Sequence, residues 1–126
     1  MSKLLEQIGF TVKTAKCGED AIDTMTKSDE STFDVVFMDI FMPGIGGIEA
    51  TVRIRELTRT WKHTPLVVGC TADTSEKTIM ECSESGITRF VHKPVDKKEL
   101  SDLFHQLRKL QQGRFRGSAI QKYLSY

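Results

Sequence analysis

A parallel α/β sheet covered by helices on both faces is the fold this sequence predicts, and three observations predict it. Short apolar runs alternate with segments of helical periodicity along the chain. One of these runs, 33–38, is apolar almost without a break, which suits a parallel strand buried on both faces. Glycines stand at several of the junctions, where the chain must turn.

The elements follow in order. Leu4, Leu5 and Ile8 recur at helical spacing and stop at Gly9, a C-cap residue type. Residues 10–15 then alternate as a strand does. Gly18, Glu19 and Asp20 open a second helix with Ala21, Ile22 and Met25 on one face, and polar residues 27–32 form a loop before the strand at 33–38. Residues 43–47 are a turn. A helix over 48–57 follows, with Glu49 and Arg53 paired at i,i+4. A strand at 65–70, a helix over about 74–85 stopped by Gly86, and a strand at 87–91 come next. Leu100, Leu103, Phe104, Leu107 and Leu110 line one face of the last helix. The reading is therefore one domain over 1–112 with four strands, and a basic tail or linker over 113–126.

Composition bounds the function. The 126 residues are 39% hydrophobic and 28% charged, with a net charge of +1, which suits one globular domain and gives no field for nucleic acid or an anionic membrane. No apolar run is long enough to span a bilayer, and the chain opens without a signal peptide. Cys17, Cys70 and Cys82 are odd in number and lack metal-ligand spacing, so they read as thiols of a reducing compartment. A cytoplasmic domain is expected.

In open α/β sheets ligands bind beyond the carboxyl ends of the strands. Asp39, Thr71 and Lys93 fall at or just past three predicted strand ends. An aspartate there can act as a nucleophile, a threonine hydroxyl can donate to a phosphoryl oxygen, and a lysine can neutralise charge. Singly, each has a plainer role: Asp39 and Thr71 as caps, Lys93 as a solvated cation. Together at successive strand ends they point to phosphoryl chemistry.

The residues that carry these groups resemble a known family. Val35-Val36-Phe37-Met38-Asp39-Ile40-Phe41-Met42-Pro43-Gly44, Gly69-Cys70-Thr71-Ala72-Asp73 and Phe90-Val91-His92-Lys93-Pro94-Val95 are similar, in this order, to the three signature segments of two-component response regulator receiver domains. Ile48-Glu49-Ala50-Thr51 with Ile54-Arg55 resembles receivers attached to hybrid histidine kinases. The resemblance spans about residues 3–110 and implies a flavodoxin-like doubly wound sheet of order 2-1-3-4-5. It implies that Asp39 accepts a phosphoryl group from a histidine kinase or histidine phosphotransfer protein, a signalling role rather than turnover. Thr71 and Lys93 would hold that group, and Thr71 with Phe90 would form the switch, although Phe90 also reads as an ordinary half-buried aromatic. Pro94 would follow a cis bond, and Asp39 with the backbone carbonyl of Phe41 would bind Mg²⁺.

The chain departs from the family slightly at Ile45-Gly46-Gly47, where many members carry an acidic or polar residue, and more seriously at its start. Members begin with a buried strand ending in an acidic pair that shares the Mg²⁺, and neither is present here. Glu19-Asp20 and Asp29-Glu30 follow no apolar strand, and 113–118 lacks both an apolar run and an acidic pair. Mg²⁺ binding is therefore expected to be weak or absent. The absent strand belongs at the sheet's centre. Four or five buried residues at ~1.5–3 kcal/mol each amount to a domain's whole stability, ~5–15 kcal/mol. Strand exchange in a homodimer is the expected repair. Two rival readings are a phosphorylation-deficient interaction module and an aspartyl-nucleophile phosphatase of the haloacid dehalogenase type. Phe41 stands where the phosphatase needs a second aspartate.

Overall fold

The computed structural model describes residues 2–8, 11–29, 33, 35–41, 44–62, 64–87, 89–110 and 119–123. The elements are α1 (Ser2–Ile8), β1 (Thr11–Ala15), α2 (Gly18–Thr26), β2 (Val35–Asp39), α3 (Gly47–Leu57), β3 (Leu66–Thr71), α4 (Glu76–Ser85), β4 (Arg89–His92), α5 (Lys97–Leu110) and β5 (Ala119–Tyr123). The α/β class and the first nine elements lie where the periodicity places them, with ends shifted by one or two residues. Gly86 caps α4 in the left-handed conformation, at φ 106°. Gly9 and Phe10 lie outside the described residues.

The sheet has five parallel strands in the order β1-β5-β2-β3-β4. This corrects the expectation of four strands and of a tail that cannot supply the fifth. Ala119–Tyr123 lies between β1 and β2, with Ala119 opposite Thr11, Tyr123 opposite Ala15, and Ile120 opposite both Val12 and Val35. The strand edges that the four-strand reading left unpaired are thus paired within one chain. The physical reason is that a central strand is held by its backbone N–H and C=O groups, which any proline-free segment brings. Residues 113–126 contain no proline. They contain no Asp or Glu either, so the strand arrives without an acidic pair.

Alternation sorts the sheet's side chains onto two faces. Val36 and Met38 of β2 and Val67 of β3 pack with Ala21, Met25, Ala50, Ile54 and Cys82 from α2, α3 and α4. Val35 and Phe37, with Val68, Cys70 and Val91, pack against Leu5 of α1 and Leu100, Leu103 and Phe104 of α5. All five residues of β2 are buried. The unbroken apolar run reflects this two-sided burial. Phe37 and Phe104 meet edge to face at 5.9 Å, a geometry favoured by their ring quadrupoles. Among the described residues no helix is long and apolar enough to cross a membrane.

Candidate functional site

Register brings the predicted site residues to one edge. Asp39 ends β2 opposite Cys70, and Ile40 N–H donates to the Cys70 carbonyl at 3.2 Å. Thr71 ends β3 opposite His92, and Lys93 N–H donates to the Thr71 carbonyl at 3.2 Å. Stepping across β2, β3 and β4 thus carries the chain from Asp39 through Thr71 to Lys93. The Lys93 ammonium forms an ion pair with Asp39 Oδ1. Asp39 is only 5% exposed, and a buried carboxylate without a cation or donors would be strongly disfavoured. The pairing therefore answers a need set by burial. The Lys93-Pro94 peptide bond is cis.

Thr71 is buried, and its hydroxyl is engaged by the backbone of Asp73. It accepts from Asp73 N–H at 2.9 Å and donates to the Asp73 carbonyl at 3.2 Å. The Asp73 carboxylate in turn accepts from Ser75 N–H and the Thr78 hydroxyl, both at 2.9 Å, while Ser75 caps α4. Thr71 is thereby tied to the first turn of α4. Phe90 is half-buried against the core on the α4 side, and its ring would lie 3.0 Å from a Cβ at position 69, so Gly69 makes the room it occupies. Phe41 is 61% exposed beside Asp39. Met42 and Pro43 lie outside the described residues.

Three acidic residues near this edge were not singled out from the sequence as holding its loops. Glu19, at the start of α2, accepts from Ile45 N–H at 2.9 Å. Asp73 is the second, and its Asp-Thr-Ser context followed by Thr78 was a readable capping signal. Glu99 of α5 accepts from His92 N–H at 2.9 Å, one residue before Lys93. No sequence spacing links 19 with 45 or 92 with 99, since these contacts depend on tertiary packing.

The backbone donation from Ile45 holds the Glu19 carboxyl below the ordinary glutamate value, and the donation from Ser75, with Thr78, does the same for Asp73. A carboxyl with a lowered folded-state pKa contributes stability that is present above the unfolded value and lost as pH falls through the folded one. Acid titration followed by amide NMR is therefore expected to move the Ile45 and Ser75 amides at pH values below those of ordinary Glu and Asp. Midpoints at or above the ordinary values would show that these contacts do not form.

The fit to Mg²⁺ is poor. The cation prefers octahedral oxygen ligands, including one or two carboxylates. Here Asp39 brings one carboxylate, already paired with Lys93. Glu19 is engaged by Ile45 and Asp20 by Lys16 N–H at 3.0 Å, and β5 carries no acid. Among the described residues no three His, Cys, Asp or Glu side chains gather to hold a metal.

Comparison with known proteins bears on the family and the fold. A family profile described as the response regulator receiver domain matches residues 1–105. The CAI-1 autoinducer sensor kinase/phosphatase of Vibrio cholerae is 39% identical over 97 residues, covering 77% of this chain and 14% of that protein. Hybrid signal transduction histidine kinase A of Dictyostelium discoideum is 32% identical over 104 residues, covering 81% and 5%. The chain thus spans a small part of these relatives. A Vibrio cholerae chemotaxis protein, CheY4, superposes with a TM-score of 0.73 at 28% identity, covering 83% of each chain. The receiver domain of a Pseudomonas aeruginosa PAO1 sensor histidine kinase, with magnesium coordinated in its active-site cleft, superposes with a TM-score of 0.69 at 22% identity, covering 83% and 82%, a likeness of fold.

Proposed function

We propose, from the premise that this chain belongs to the response regulator receiver domain family, that Asp39 is a phosphoryl acceptor in two-component signalling. The donor is a phosphohistidine on a histidine kinase or a histidine phosphotransfer protein. The relatives' descriptions as sensor and hybrid kinases support a place within or beside a hybrid histidine kinase. One observation carries the reading: the Lys93–Asp39 ion pair at the strand edge shared with Thr71.

In the transfer, a carboxylate oxygen of Asp39 attacks phosphorus and the P–N bond to the donor imidazole breaks. The imidazole leaves with the bonding pair and takes up a proton from water, leaving an acyl phosphate on Asp39. The Lys93 ammonium passes from the carboxylate to a phosphoryl oxygen, where it offsets the charge the group brings. The Thr71 hydroxyl exchanges its acceptor, the Asp73 carbonyl, for a phosphoryl oxygen. No step is routed through Mg²⁺, because the donor set does not fit it. Transfer is accordingly slow by the standards of metal-assisted phosphoryl chemistry.

Incubation with acetyl phosphate followed by intact-mass measurement tests this. Partial modification of the native chain by one phosphoryl group, absent in Asp39→Asn, is the expected result. An unmodified native chain, or equal modification of Asp39→Asn, overturns it. The poor metal fit favours a second reading, a receiver-shaped interaction module without phosphoryl chemistry. That reading predicts no modification of either chain.

A further inference from the structure

We infer that Glu19 is a positioning residue for phosphoryl transfer, holding the loop that runs from Asp39 to α3 through the backbone of Ile45. The inference rests on the phosphoacceptor reading of Asp39 for its consequence, and on contacts at Gly18, Glu19, Gly44 and Ile45 for its geometry.

The loop is fixed at both ends by backbone bonds. Ile40 N–H donates to Cys70, and Gly47 N–H donates back to the Ile40 carbonyl at 2.9 Å. Near its α3 end it is held from a different element, 26 residues away in sequence: the Glu19 carboxylate receives Ile45 N–H at 2.9 Å. Two glycines make this approach possible. Gly44 has φ +74°, and a Cβ there would stand 2.8 Å from Glu19 Oε1. A Cβ on Gly18 would stand 2.7 Å from the Ile45 carbonyl. The start of α2 and the loop therefore touch along two residues on each side, with room for nothing larger than hydrogen. This loop also carries exposed Phe41 past the acceptor. Its described residues, 40, 41 and 44–46, adjoin Asp39 and contribute to the surface an approaching donor meets. The preference of the Glu19 carboxyl for its ionised form agrees with a formed contact.

A glutamine at 19 keeps an oxygen for the Ile45 amide and an alanine does not, so the pair separates loop holding from charge. Ile45 amide shift and hydrogen exchange by NMR report the clamp directly, and acetyl phosphate uptake reports its consequence. Glu19→Ala is expected to move the Ile45 amide upfield and to speed its exchange. Phosphoryl uptake should slow by about tenfold to a hundredfold, the scale of a misplacement of about 1 Å at a reacting group. Glu19→Gln is expected to keep the amide position and uptake within about threefold of native, since the amide carbonyl still accepts the bond. Melting curves of both variants, recorded alongside, should show each folded at the assay temperature, so that unfolding does not explain a difference in uptake between them. An Ile45 amide unchanged in Glu19→Ala overturns the clamp. An altered amide with native uptake overturns the positioning role, as does equal slowing of both variants. A native chain that takes up no phosphate overturns the phosphoacceptor reading instead, and the amide measurement still decides whether Glu19 holds the loop.

Discussion

Ile120→Pro is expected to unfold this chain or to lower its melting temperature by about 10 °C or more. Residue 120 lies in the middle of β5, opposite Val12 on one side and Val35 on the other. A proline there removes an N–H from a strand paired on both edges, and its ring obstructs the adjoining ladder. A backbone break of this kind costs roughly 3 kcal/mol, against a total stability of ~5–15 kcal/mol. At about 2–8 °C for each kcal/mol in domains near this size, the shift is easily measured. Opening the centre also bares the facing edges of β1 and β2, which invites pairing with other chains. Light scattering on the same samples should show association. Ile120→Val is the control and should melt near the native chain. If the proline variant remains monomeric and melts within about 2 °C of native, residues 119–123 do not form the central strand.

Gly47→Ala is expected to damage both stability and the acceptor. Position 47 begins α3, where alanine would gain about 1 kcal/mol over glycine from helix propensity alone. Sterics oppose this and win. A Cβ on Gly47 would stand 2.1 Å from the Asp39 carbonyl oxygen and 2.8 Å from both the Asp39 carbonyl carbon and Ile40 Cα. These are backbone atoms that no rotamer change can move aside. Overpacking of this kind costs ~1–3 kcal/mol, and more where the neighbour is backbone. The shift falls on Asp39 itself, so phosphoryl uptake should drop further than the melting temperature implies. A Gly47→Ala chain that melts above native would show that propensity prevails and that the helix start is not pressed against Asp39.

The fates of particular residues show what the sequence made legible. The shared edge of Asp39, Thr71 and Lys93 was readable because parallel strands deliver their ends side by side, so placing three strands places the three candidate residues together. The buried run at 35–38 was readable because two-sided burial removes polar residues from it. The central strand was not. Ala119-Ile120-Gln121-Lys122-Tyr123 has a weak pattern and follows a basic segment, and its place is set by backbone pairing with β1 and β2. Glu19 was read only as an opener of α2 and as part of an acidic pair set aside because no apolar strand precedes it. Its partner proved to be a backbone N–H on another element. Such a contact leaves no mark on periodicity or spacing.

The position of β5 also governs how the chain is made. The strand at the middle of the sheet is translated after the other four, so β1 and β2 leave the ribosome with no neighbour between them. The nascent sheet stays split until residues 119–123 emerge, and the contacts that then form with 11–15 close a loop of more than a hundred residues. Long-range pairing of this kind slows folding and prolongs exposure of unpaired strands and apolar surface. Maturation of this domain is thus deferred until residues 119–123 have emerged, and in that interval its unpaired strand edges are most in need of a chaperone.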